Sequence, residues 1–178
     1  MILQQYKIVF AGTMGAGKTT AIQSISDIPV LSTEALNTDQ NAHQKMLTTV
    51  GIDYGELTLA DGTKLGLYGT PGQERFNFIW NTICSGAIGT IILIDHTHDH
   101  PIQQLNDYLN YFSENNENII IAITHLDSTQ YKSTKLYKEW QDSQQIHHPI
   151  FYIDARNKKD ILFILEALIA KAEVQLSI

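Results

Sequence analysis

Gly12-Thr13-Met14-Gly15-Ala16-Gly17-Lys18-Thr19 spells G-x-x-x-x-G-K-T directly behind the apolar run from Tyr6 to Phe10. Few local structures satisfy that order: a strand feeds a glycine-rich turn, which opens a helix. Glycines let the backbone wrap closely round a phosphate chain with several N–H groups pointing inward. Thr13, Met14, Ala16 and Thr20 complete the wrap. Lys18 adds a cation for the outer phosphates, and the Thr19 hydroxyl is a ligand for Mg²⁺. A plain strand-to-helix turn would need none of this, and here strand, glycines, Lys and hydroxyl fall in register.

The rest of the chain fits that beginning. Its 178 residues are 43% hydrophobic, enough for one domain, residues 1–178, with a substantial core. Apolar strand-like runs alternate with amphipathic stretches, which argues for an α/β architecture. The net charge of −7 comes without any basic cluster, so nucleic acid is not an expected partner. A single cysteine, Cys84, excludes an intramolecular disulfide and suits a reducing cytoplasm. Met1-Ile2-Leu3-Gln4-Gln5 is not expected to act as a signal peptide, because Gln and Tyr interrupt it before any apolar region of useful length. Position 2 is not Gly and Ser177-Ile178 carries no prenylatable Cys, so no lipid anchor of those kinds is expected.

Candidate strands are 6–12, 51–60, 64–68, 90–95, 118–124 and 149–153, and candidate helices 18–26, 78–85, 102–114, 131–143 and 158–174. The runs from Ile91 to Ile94 and from Ile119 to Ile123 are unbroken, as parallel strands covered on both faces require. Between Ile52 and Leu67, Leu57, Leu59, Leu65 and Leu67 alternate with polar or small residues round Asp61-Gly62, a two-residue turn signal. Ile161, Leu165, Leu168 and Ala172 form one face of a packed terminal helix. The segment from Asp27 to Thr48 shows no sustained apolar period. It is either a tolerated insertion or a loop ordered by ligand, and its place between the phosphate loop and Thr49 favours the second.

Three further stretches follow in order: Thr49-Val50-Gly51-Ile52-Asp53-Tyr54, Gly69-Thr70-Pro71-Gly72-Gln73-Glu74-Arg75-Phe76 and Thr124-His125-Leu126-Asp127. Asp154-Ala155-Arg156 closes the series. With the phosphate loop they resemble, from about Tyr6 to Val174, the small Ras-like GTPases. The first is similar to switch I of the Rab and Arf branches, the second to the D-T-A-G-Q-E-R-F of switch II, the third to the guanine-reading N/T-K-x-D, and the last to the S-A-K loop. Thr-Pro-Gly-Gln and the long loop before Thr49 look closest to bacterial members, including the gliding-motility (Mgl) type. The resemblance implies a P-loop, small G-protein fold: a mixed six-stranded sheet with helices on both faces. It implies GTP and GDP as ligands with Mg²⁺, slow hydrolysis, and protein partners at the switches, with a roadblock-type protein among the candidates.

Each stretch has a chemical reason. Thr49, through Mg²⁺, and Gly72, through its backbone N–H, give two loops a hold on a γ-phosphate, an order–disorder switch. Gln73 suits the orientation of an attacking water, while Lys18 and Thr49 stabilise the charge that develops. Asp127 accepts from the N1–H and 2-amino group of guanine, donors that adenine lacks. Thr124, His125, Asp154, Ala155 and Arg156 complete the expected base site, and Thr19 and Thr49 the metal site.

Four departures carry consequences. Gly69 stands where the family has an Asp, so metal coordination rests on Thr19, Thr49 and the phosphates unless another acid intervenes, and nucleotide affinity should depend only weakly on Mg²⁺. Met14 replaces a small residue and either crowds the path of an arginine finger or packs under switch II. His125 replaces a Lys and reaches less far towards the phosphate loop. Only Arg75 and Arg156 are present, too few for the arginine lid of an ATP-using kinase. A non-hydrolysing GTP-dependent binding module is the alternative function. His96, His98 and His100 alternate before Pro101 and read as a loop rather than a metal site. Phe76, Phe78 and Trp80 are either core or a partner patch.

Overall fold

The computed structural model describes residues 5–32, 51–72, 78–114, 117–127 and 133–176. In chain order these form β1 (Gln5–Gly12), α1 (Lys18–Ile25), β2 (Leu31–Ser32), β3 (Asp53–Thr58), β4 (Lys64–Gly69) and α2 (Trp80–Cys84). There follow β5 (Ala87–Asp95), α3 (Pro101–Phe112), β6 (Ile119–Thr124), α4 (Lys135–Asp142), β7 (Ile150–Tyr152) and α5 (Lys158–Leu176). The strands make one sheet in the order β2-β3-β4-β1-β5-β6-β7. Pairing is parallel from β4 through β7 and antiparallel for β2–β3 and β3–β4. The six expected strands are thus joined by a seventh. Leu31–Ser32 is an exposed edge pair, too short for any period to reveal.

Period-two alternation assigns the two faces. Ile8 and Phe10 of β1 pack with Ile91, Leu93, Ile120 and Ala122 against Ile22 and Ile25 of α1 and Ile161, Leu165 and Leu168 of α5. Val9 and Ala11 point the other way, with Ile92, Ile94, Ile121 and Ile123, into Trp80, Leu105, Tyr108, Phe112, Tyr137 and Trp140. Each large apolar side chain so buried is worth about 1.5–3 kcal/mol. A one-residue slip would exchange the faces of a whole strand, so this burial fixes the register.

The hairpin differs from its expected form by one residue. Leu59 N–H donates to the Thr63 carbonyl (2.9 Å), and Gly62, at φ 87°, donates to Leu59 (2.9 Å). The connection is therefore Ala60-Asp61-Gly62, three residues with glycine in the left-handed position. Asp53 is thereby set directly opposite Gly69. Trp80 is core: its indole N–H donates to the Pro71 carbonyl (3.2 Å) and its rings contact Tyr108, Tyr111 and Phe112. Phe78 is exposed, and Phe76 lies outside the described residues. His96 is buried with Nδ1 3.1 Å from the Tyr137 hydroxyl, whereas His98 and His100 are exposed loop residues.

Candidate functional site

The carboxyl ends of β1, β5 and β6 finish along one edge of the sheet, the place where parallel α/β sheets bind ligands. There β1 passes into the glycine-rich turn. Gly12, at φ 145°, lies so close to the Leu93 carbonyl that no Cβ would fit, and Gly17, at φ 100°, is the left-handed residue that opens α1. Lys18 is buried, and its ammonium donates to the Gly12 and Thr13 carbonyls at 2.8 and 2.7 Å. That grip holds the cation across the mouth of the loop. Gly72 presses on the same loop from the far side, leaving no room for a Cβ beside the Met14 and Thr13 backbone. Met14 itself is 74% exposed, so its thioether chain is not buried packing.

The end of β6 is bound to this loop. Thr124 is buried, and its hydroxyl lies 2.9 Å from the Ala16 carbonyl and 3.2 Å from that of Ile94. A position for Cβ on Gly17 would meet Ala155 at 3.0 Å and Thr124 at 4.0 Å, so three of the motif stretches touch one another here. A shorter reach than that of a Lys was expected of His125. Instead it adopts φ 59°, and Nε2 comes within 2.9 Å of the Gly15 carbonyl, a bond that needs the Nε2–H tautomer. The left-handed backbone, invisible in the sequence, swings the ring inward.

A cavity of about 430 Å³ runs from Gly17 and Thr20 past Thr124, His125 and Asp127 to Tyr152, Asp154, Ala155 and Arg156. Three carboxylates and one guanidinium shape its outer end. Arg156 Nη2 bonds Asp127 Oδ2 (2.6 Å) and Asp154 Oδ2 (2.7 Å), and Nε bonds Asp154 Oδ1 (2.8 Å). These bonds hold the Asp154 carboxyl down at about 2 and push the Arg156 guanidinium up. Asp160 fixes the turn by accepting the Asp154 N–H (2.8 Å). A larger, more open depression of about 590 Å³ between the starts of α3 and α4 contains none of the motif residues.

On the other side of the phosphate loop lies a residue the sequence reading missed. The Thr19 hydroxyl donates to Asp53 Oδ2 at 2.5 Å, and Asp53 is 6% exposed. An acid does therefore stand beside Thr19, the alternative that the sequence left open without naming the residue. Asp53 was legible only through strand register. Thr49 and Gln73, the other expected metal and catalytic residues, lie outside the described residues. The residues present fit a hard divalent cation, since a buried carboxylate and a threonine hydroxyl supply oxygen donors. Thr19 and Asp53 would hold it, and the ion would offset phosphate charge there.

A family model described as a conserved hypothetical ATP binding protein matches residues 29–174. The chain belongs to this family. The matched span begins after the phosphate loop, so the loop is additional to it. The chain is also distantly homologous to Ras and Rab small GTPases. It is 22% identical over 176 residues to the Ras-related protein RabC of Dictyostelium discoideum, covering 94% of this chain and 84% of the relative. The GTP-binding protein YPTM2 of Zea mays is 26% identical over 164 residues (88% and 74%), and RABD2b of Arabidopsis thaliana 27% over 164 (88% and 74%). These likenesses support a nucleotide-binding, Ras-like chain, with GTPase activity at the level of the family. Among the described residues no helix is long and apolar enough to cross a membrane.

Proposed function

We propose that this chain is one G domain across residues 1–178, a switch that binds GTP and GDP with Mg²⁺ and hydrolyses GTP slowly. The observation that carries this is the continuous cavity from the phosphate loop to Asp127, with Thr124 tying the two ends together. Lys18 and the Gly12–Thr19 backbone hold the phosphates and stabilise charge as the terminal bond breaks. Thr19 and Thr49 bind the metal, and Gln73 orients the attacking water. Gly72, which already abuts the loop, senses the γ-phosphate through its N–H. The family description speaks of ATP, but Asp127 supports guanine. It accepts from the N1–H and 2-amino group, and adenine would leave it poorly paired at a cost of about 1–3 kcal/mol.

Protein partners, a roadblock-type regulator among them, read the loops around Thr49 and Gln73. The Thr-Pro-Gly-Gln sequence supports a place in the bacterial, gliding-motility type of branch. The single thiol suits the cytoplasm. Single-turnover phosphate release from GTP tests the catalytic half. The parent should release phosphate over minutes to hours and Gln73→Leu should be slower still. Absence of release from both would favour the second reading, a GTP-dependent binding module, to which Gly69 and the exposed Met14 lend support.

A further inference from the structure

We propose that Arg156, tethered to Asp154, widens the choice of base at this site, which therefore takes adenine nucleotides as a second, weaker class of ligand. The inference rests on the nucleotide-binding reading above and deepens it.

The tether carries the first part of the argument. Asp154 Oδ1 accepts the Arg156 backbone N–H at 2.9 Å and Nε–H at 2.8 Å, and Asp154 Oδ2 accepts from Nη2 at 2.7 Å. A forked pair of this kind fixes the plane of a guanidinium as well as its place. The Asp154 N–H is itself held by Asp160 (2.8 Å), so the turn that carries the pair is anchored to α5. A single bond, from Nη2 to Asp127 Oδ2 at 2.6 Å, joins this assembly to the residue that follows β6. That bond can break and re-form while Arg156 stays on Asp154. Both its partners are about two-thirds exposed, at 66% and 65%, so neither arrangement is locked.

The sign of the base edge carries the second. Guanine donates from N1–H and from its 2-amino group. Adenine in the same pose presents a lone pair at N1, which a bare carboxylate repels. With the guanidinium drawn over Asp127, N–H groups stand where the carboxylate stood alone. The donors at Nε and Nη2 are taken, whereas Nη1 makes no hydrogen bond among the described residues. The cavity thus has two faces, an acceptor when Arg156 rests on Asp154 alone and a donor when it also covers Asp127. Guanine selects the first and breaks one exposed ion pair. Adenine selects the second and leaves that pair intact, so Arg156 offsets part of the penalty adenine would otherwise meet at Asp127. Guanine keeps the lead, because it bonds the carboxylate through both of its donors.

Displacement of a fluorescent GDP analogue by GDP and by ADP tests this, and diphosphates set hydrolysis aside. The parent should bind ADP, at least about tenfold more weakly than GDP. Arg156→Ala and Arg156→Met should bind GDP more tightly and ADP about two- to thirteenfold more weakly, the range one hydrogen bond spans, so the preference for guanine widens. In an Asp127→Ala background nothing draws the guanidinium across the site, and replacing Arg156 should no longer weaken ADP. A parent that binds GDP but no ADP at millimolar concentration would overturn the proposal. So would an Arg156→Ala protein whose preference for GDP over ADP is unchanged or narrower. An undiminished loss of ADP affinity in the Asp127→Ala background would place the action of Arg156 elsewhere on the nucleotide and count against it too. Should one Arg156 variant not fold, the other decides. If the parent bound neither nucleotide, the nucleotide reading itself would fall, and this inference with it.

Discussion

Arg156 Nη2 lies 2.6 Å from Asp127 Oδ2, and the same nitrogen is 2.7 Å from Asp154 Oδ2. A guanidinium carries N–H groups on adjacent nitrogens of one carbon, the same pattern that guanine shows at N1 and its 2-amino group. Arg156 thus occupies the acceptor that the proposed base would use. Both side chains are about two-thirds exposed, at 66% and 65%, so the pair is weak and readily displaced. Arg156→Ala should therefore raise GDP affinity modestly, by about 1.4- to fivefold, from the roughly 0.2–1 kcal/mol such pairs contribute. A titration showing weaker binding would mean that Arg156 holds the nucleotide rather than its place.

The same cluster predicts a flat pH response. Arg156 depresses the Asp154 carboxyl, so this group adds stability above the ordinary carboxylate value of 3.8, lost as pH falls through about 2. Replacing Arg156 should leave the stability difference between parent and variant constant from pH 8 to about 5, as read by urea midpoints. A difference that changes within that window would contradict the assignment.

His148 should act in the opposite range. It is buried, Nδ1 has no hydrogen-bond partner among the described residues, and burial together with Lys171 lowers its pKa below the ordinary 6.5. The unfolded chain then takes up the proton first. The contribution of the neutral ring is complete above 6.5 and is lost as pH falls towards and through the folded value. Between pH 7.5 and 5.5 the parent should lose more stability than His148→Gln. Equal losses would show that the ring charges freely in the folded state.

His125 offers a test of the phosphate loop. Its 2.9 Å bond to the Gly15 carbonyl is a single hydrogen bond, worth about 0.5–1.5 kcal/mol. His125→Ala should weaken GDP binding by about two- to thirteenfold by that measure, and His125→Lys, long enough to reach the same carbonyl, should keep it near the parent. Unchanged affinity in His125→Ala would show that the loop holds its shape unaided.

Much of this arrangement was legible because strong, redundant patterns encode it. The unbroken runs of β5 and β6 and the phosphate loop behind β1 fix both the parallel sheet and the edge where its strands end. What escaped was set by geometry of single residues. β2 is a two-residue pairing with no pattern of its own. Reading Asp61-Gly62 as a two-residue turn shifts the register by one, which sets Asp53 against Thr70 and turns its side chain to the wrong face. With the three-residue connection, Asp53 and Gly69 stand at equal distance on either side of Asp61, and the missing acid has a neighbour to replace it. His125 reaches Gly15 only through its φ of 59°, which no spacing announces.

Cys84 completes the set. It is buried, and burial pushes its thiol up to about 11 despite the opposing influence of Lys7 and Thr90. At pH 8 the thiolate is scarce and shielded. Folded protein should resist a colorimetric thiol reagent over minutes, and unfolding in guanidinium should release the full equivalent of the single cysteine. Prompt reaction in the folded state would place Cys84 at the surface.

The most direct measurement strips the purified protein of nucleotide and titrates it with a fluorescent GDP analogue, with unlabelled GTP and ATP as competitors. The account predicts binding at micromolar concentration or tighter, displaced by GTP and at least about tenfold less well by ATP, the difference one unpaired carboxylate makes. No uptake of the analogue, or displacement by ATP as effective as by GTP, would contradict it.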